Sequence, residues 1–237
     1  MAHASHGPSI AALTVLVCLL HAAAFAQVKQ SRNVGAFRGV QAGGALRVFI
    51  KPGSPQSVTV ETDGDLQSRI ITEVDGEVLK IHREKKFNWK SRGNQPVNVY
   101  LTCPELTSLD VSGATDVRGA SAFVANDFRL AVSGASDVTL ALSAKTLRAT
   151  VSGASELTLT GRADNQRVNL SGASDYRGYG LQSHRAEVET SGSSDAQVSV
   201  DEELKVGASG ASDVRYKGKP RVRNVQSSGS GSVRRAG

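Results

Sequence analysis

Residues 132–138 read VSGASDV, and the segment returns with small edits throughout the second half of the chain. Aligned on its glycine, the motif falls at Gly113, Gly134, Gly153, Gly172, Gly192, Gly210 and Gly229, with successive spacings of 21, 19, 19, 20, 18 and 19 residues. Four positions before the glycine stand Leu109, Leu130, Ala149, Val168, Val188, Val206 and Val225. Two before it stand Val111, Val132, Val151, Leu170, Thr190, Ala208 and Ser227, and four after it Val117, Val138, Leu157, Tyr176, Ala196, Val214 and Val233. Alternation of period two on both sides of a Ser-Gly turn predicts short strands meeting at a corner.

No stretch keeps a helical period, so the repeat is not a helical solenoid. A unit of about 19 residues at about 3.3 Å each spans at most about 60 Å, which suits one full coil with short sides. Each unit has the same corner at the same place. Coils stacked about 4.8 Å apart would set like residues over like. The expected fold is therefore all-β, a single-stranded parallel β-helix (β-solenoid) with coils of about 19 residues, preferred to an antiparallel meander. Glycine supplies the corner's backbone angles, and Ala and Ser keep it small enough for the coil above.

The chain has 237 residues and a formal charge of +6. Ile10 to Leu20 is an apolar run too short to span a bilayer, followed by Ala24-Phe25-Ala26 in the form of a signal-peptidase site. Residues 1–26 are expected to be a signal peptide and the protein to be exported, to the periplasm, the outer surface or the medium, with no transmembrane segment in the mature chain. Residues 27–35 would be a linker, 36–110 irregular β coils, 111–216 the regular solenoid, and 217–237 a degenerate basic coil or tail. Cys18 leaves with the signal, so Cys103 remains alone, in an alternating stretch that predicts a buried strand position.

Ahead of the regular repeats, the order of features is a further signal. An opening from Phe37 to Ile50 carries Gly43-Gly44. Val58-Thr59-Val60 and Asp63 to Leu66 follow, then the hairpin from Asp75 to Ile81, and Leu101 to Leu109 leads into Ser112-Gly113. This series resembles the bacterial family described as "putative auto-transporter adhesin, head GIN domain" over about residues 34–220. The resemblance implies an exported, non-enzymatic, β-helical protein, and it supplies no catalytic residues.

Several positions could carry chemistry. Three after each glycine come Asp116, Asp137, Glu156, Asp175, Asp195 and Asp213, an acidic column. Like charges at rung spacing repel, so either Ca²⁺ bridges the rungs or each acid caps its own turn. The density of acids falls short of a calcium β-roll, which favours turn capping. Five before the glycine, Arg129, Arg148 and Arg167 form a stripe that suits an anionic polymer or serves as a solvated face. A loop holds the only Trp among cations: Lys85, Lys86, Trp89, Lys90 and Arg92. Trp89 could stack a sugar or meet a lipid head group, or could pack on its own coil.

His82 and His184 lie in no metal-ligand spacing, and no nucleophile or phosphate-loop motif is present. No cofactor is expected. The leading function is a non-catalytic cell-envelope or surface binding and adhesion module. Its partner would be an anionic polysaccharide, lipid head groups or a surface protein rather than nucleic acid. The alternatives are a polysaccharide-active enzyme on a parallel β-helix and a self-assembling envelope protein.

Overall fold

Between consecutive Ser-Gly corners the chain runs as one long strand that bends once. In β11 (Asp137–Val151) the side chains of Val138, Leu140, Leu142 and Ala144 point inward. The phase then slips at Lys145 and Thr146, and Leu147, Ala149 and Val151 are the buried set. The structure, a computed structural model describing residues 27–89 and 95–237, stacks these units as a parallel β-helix of about 7 turns with coils of roughly 19 residues. Residues 1–26, and with them the expected signal peptide, lie outside the described residues.

Successive rungs β10 (Phe123–Val132), β11, β12 (Glu156–Leu170), β13 (Asp175–Thr190) and β14 (Asp195–Gly210) pair in parallel. Their register sets Val132, Val151, Leu170, Thr190 and Ala208 in one row, and the acids from Asp137 to Asp195 in another. The parallel β-helix is thus present and the meander is not. The C-terminal segment continues the stack: β15 (Asp213–Lys217) and β16 (Arg221–Gly229) lie on β14, and β17 (Ser232–Arg235) lies on β15. A bulge between Lys205 and Val206 sets Arg223 opposite Lys205 and Val225 opposite Val206, which leaves Asn224 as the extra residue.

Glycine is required at the corners for two separate reasons. From Gly134 to Gly229 the motif glycines have φ between +79° and +93°, where an L side chain strains the backbone. A Cβ on Gly153 would also lie 2.4 Å from the carbonyl oxygen of Gly134 directly beneath. That carbonyl accepts a hydrogen bond from the Ala154 amide at 2.8 Å, so it cannot move away without cost. At most of these corners a hydroxyl two positions after the glycine closes the turn. Ser136 Oγ donates to the Ser133 carbonyl at 3.0 Å, and Ser174, Ser194 and Ser212 repeat this bond within their own turns. These serines are fully buried.

The N-terminal coils follow a different chain order. β2 (Gly39–Gly43) and β3 (Arg47–Pro52) form a coil whose corner, Gly44, sits beneath Gly113. On one side of this coil lie β8 (Ser108–Ser112) and β9 (Asp116–Gly119), and on the other β6 (Val78–Arg83) and β7 (Asn98–Cys103). The first coil in sequence is therefore the second in space. Antiparallel strands extend this end: β5 (Ile70–Asp75) on β6, and β4 (Ser57–Asp63) on β7. Residues 27–32, expected as linker, instead form β1 (Gln27–Arg32), antiparallel to β4. The Asp63-Gly64-Asp65 turn opens a 3-10 segment at Gly64–Arg69 that buries Leu66.

One rung carries a polar element inside. Tyr176, fully buried in the inward column, donates its hydroxyl to Gln166 Oε1 at 2.8 Å. Gln166 Nε2 donates to Ser183 Oγ at 2.7 Å, and that hydroxyl donates to the Ser199 carbonyl at 2.8 Å. Gly178 makes room, since a Cβ there would lie 2.6 Å from the Tyr176 ring. Cys103 is wholly buried and burial pushes its thiol up to about 11, which leaves it an unreactive packing residue.

Urea unfolding tests both readings. Gly153→Ala is expected to destabilise by about 3 kcal/mol, from left-handed strain and overpacking. Gly207→Ala, on an open strand position, should stay within about 0.5 kcal/mol. Equal midpoints for the two variants would refute the corner packing. Tyr176→Phe leaves Gln166 Oε1 without its donor and is expected to cost about 1–3 kcal/mol.

Candidate functional site

In-register stacking turns each outward column into a straight row. The acidic column is real in space, with Asp116, Asp137, Glu156, Asp175, Asp195 and Asp213 on successive rungs. Serine, however, performs the turn capping that was expected of these acids: the buried hydroxyl one residue earlier reaches the corner carbonyl. Asp213 instead reaches the next rung, accepting from the Ser232 amide at 3.1 Å and hydroxyl at 2.6 Å, which holds its carboxyl below the usual range. Guanidinium groups relieve part of the row's repulsion, Arg177 at 2.8 Å from Glu156 and Arg215 at 3.2 Å from Asp213. Among the described residues no group of three His, Cys, Asp or Glu is arranged to hold a metal ion.

Arg129, Arg148 and Arg167 do form a stripe on three successive rungs. It then meets Glu187 in the same row, and acids flank it. Arg148 is 3.8 Å from Asp127, and Arg167 lies 3.5 Å from Glu187 and 3.6 Å from Glu189. Arg148 and Arg167 also border a small pocket of about 290 Å³ shared with Arg185, Glu187, Glu203 and Lys205. A face so paired is a mixed ionic surface rather than a bare cationic track. His184 joins a similar exposed network, 2.9 Å from Arg162 Nη2 and 3.1 Å from Asp201 Oδ1.

The tryptophan loop occupies the level where another corner would lie, beneath Gly44. Arg83 lies against Gly44, with its Cβ 3.5 Å from the position a Cβ there would take. Its guanidinium donates to the Ala45 carbonyl at 2.8 Å and rests 4.5 Å from the Trp89 ring centroid. Trp89 Nε1 donates to the Glu84 carbonyl at 3.0 Å, Phe87 meets the indole edge-on at 5.0 Å, and the indole packs on the core. Burial lowers the Arg83 pKa from its ordinary value. Trp89 thus helps close the end of the corner column. Lys85 and Lys86 are exposed beside it, while Lys90 and Arg92 lie outside the described residues.

A larger concavity lies elsewhere, a groove of about 820 Å³ running along the stack just before the corners. One wall is the column three before the glycine: Thr150, Asn169, Glu189, Gly207 and Gln226 on consecutive rungs. The other is the serine immediately before the glycine, in Ser171, Ser191, Ser209 and Ser228. Gly207 opens the groove, because its missing side chain leaves the Glu189 Cγ, at 3.8 Å, as the nearest atom. Asn169 Oδ1 is buried with no hydrogen-bond partner. The groove presents hydroxyls, amides and one carboxylate in repeating order, a surface suited to hydrogen-bonding an extended polar ligand. These two columns escaped the sequence reading, although the recurring serine and the lone Gly207 in its column were visible signals.

Three solved structures similar to the chain share this fold. An adhesin structure from Bacteroides fragilis, described as "putative", superposes with a TM-score of 0.81 at 17% identity, covering 89% of this chain and 97% of its own. A "putative adhesin" from Parabacteroides merdae gives 0.69 at 16%, covering 89% and 96%. A "putative lipid binding protein" from Parabacteroides distasonis gives 0.67 at 18%, covering 89% and 97%. No curated protein matches. The family model described as "Putative auto-transporter adhesin, head GIN domain" matches residues 36–220, so the chain belongs to that family.

Proposed function

We propose that the protein is an exported, non-catalytic binding module of the cell envelope, and that its ligand lies in the groove beside the corners. The observation that carries this reading is the pair of polar columns, repeated at rung spacing, with Gly207 leaving depth between Glu189 and Gln226. A linear ligand rich in hydroxyls meets a serine hydroxyl on each of four rungs and a differing neighbour across the groove, so its contacts add along the axis. The adhesin names of the family and of two similar structures support a surface role. A non-catalytic reading is supported by the lining itself, where Glu189 is the one carboxylate among hydroxyl, amide and small apolar groups.

The polar ligand expected here is neutral rather than polyanionic. Glu189 lies in the groove wall, and the neighbouring Arg167 already pairs with it. Asn169 lies in the same wall, and its side-chain amide can turn to hydrogen-bond a hydroxyl that enters the groove.

A glycan array probed with the protein tests this. Gly207→Gln fills the groove without touching a corner and is expected to abolish binding to any glycan retained by the parent. Asn169→Ala should weaken it about tenfold, the equivalent of one buried hydrogen bond. Unchanged hits with Gly207→Gln would overturn the groove assignment, and loss of hits on Trp89→Ala alone would move the site to the loop beneath Gly44.

A further inference from the structure

The charge of the molecule is distributed along its axis. Residues 111–213 carry nine Lys or Arg against thirteen Asp or Glu, whereas residues 214–237 carry seven Lys or Arg and no acid. Those residues form the last turn of the stack among the described residues. Arg215 and Lys217 are on β15, Lys219 follows it, Arg221 begins β16, and Arg234 and Arg235 are on β17. All six side chains are exposed.

At the same end the apolar interior comes to the surface. Val225 continues the inward column above Val206, yet it is 45% exposed where Val206 is buried. Val233 lies above the buried Val214, and Arg235 stands in the inward column above Tyr216. Among the described residues no strand pairs with the outer edges of β16 and β17. The result is an end face with an apolar centre, open strand edges and a cationic rim.

We propose that this face docks the solenoid end-on against an anionic lipid surface. The geometry favours a plane over a linear polyanion. A polymer laid along the rod would leave the cationic turn at once and run beside rows that contain Glu187, Glu189 and the acids from Asp116 to Asp213. A flat anionic layer met by the end of the rod touches the last turn alone, so attraction is not offset by the acidic body. Basic side chains around a small apolar tip provide the two contributions, charge and apolar insertion, that peripheral attachment requires. The body then stands away from the layer, with the groove along its side. This inference is independent of the ligand assigned to that groove.

Flotation of the purified protein with vesicles tests it. Binding is expected to vesicles of phosphatidylcholine mixed with phosphatidylglycerol, to weaken as salt is raised, and to be absent with phosphatidylcholine alone. A variant combining Lys219→Gln, Arg221→Gln, Arg234→Gln and Arg235→Gln, with its β circular dichroism intact, should lose about a hundredfold or more in partitioning. Arg148→Gln with Arg167→Gln should retain it. Val225→Trp should show a blue-shifted emission component on anionic vesicles that the parent, with Trp89 alone, lacks. No binding to the anionic vesicles, equal binding of the fourfold variant, or no shift from Val225→Trp would each overturn end-on docking. Retention on a soluble polyanion such as dextran sulfate without vesicle binding would assign the cationic turn to a polymer instead.

Discussion

The whole molecule depends on one close contact, a corner glycine seated over the carbonyl of the glycine beneath it. With no Cβ, Gly153 leaves room for the Gly134 carbonyl, which in turn accepts the amide of Ala154. Repeated at each corner, this contact prevents slippage. A shift of one residue would put a Cβ where the carbonyl lies and turn every inward side chain outward. The buried corner hydroxyls reinforce it by satisfying carbonyls that the turn would otherwise leave unpaired.

Fixed register has consequences on the outside as well. Whatever occurs once per unit becomes a row, whether acids, guanidinium groups or serines. Rows of like charge are costly, and the structure offsets them by interrupting the arginine row with Glu187 and by crossing between rows, as Arg177 does to Glu156. Rows of neutral hydroxyl and amide groups carry no such cost, so they can remain available to a ligand. The groove arises where such rows meet a missing side chain at Gly207.

The two ends of the described stack are unlike. At the N-terminal end, antiparallel strands and Leu66 cover the core, while Arg83 and Trp89 close the corner column. At the C-terminal end the inward columns turn polar or exposed at Val225, Ser227 and Arg235, and cations collect around them. Exposed strand edges are ordinarily guarded by charge, and Lys and Arg at this end serve that purpose too.

The repeat was legible because it is local. Period, corner glycine and the inward columns depend on neighbours within one unit, so they appear directly in residue order, and Tyr176 could be placed in the core from its column alone. The role of the serine after each corner was less visible, since Asp and Ser both cap turns and only the hydrogen-bond geometry separates them. The trade of levels between β2–β3 and β6–β7 leaves no periodic trace, because spacing along the chain says nothing about the order in which coils stack. For Trp89 the sequence leaves ligand stacking and packing on its own coil both open until the place beneath Gly44 is known. By itself the sequence determined the coil, its corner and its rows, since steric and hydrogen-bonding needs of each unit are met within about 19 residues. Tertiary structure alone decided which rows face one another, which charges pair and where a groove opens, because those depend on contacts between coils distant in sequence.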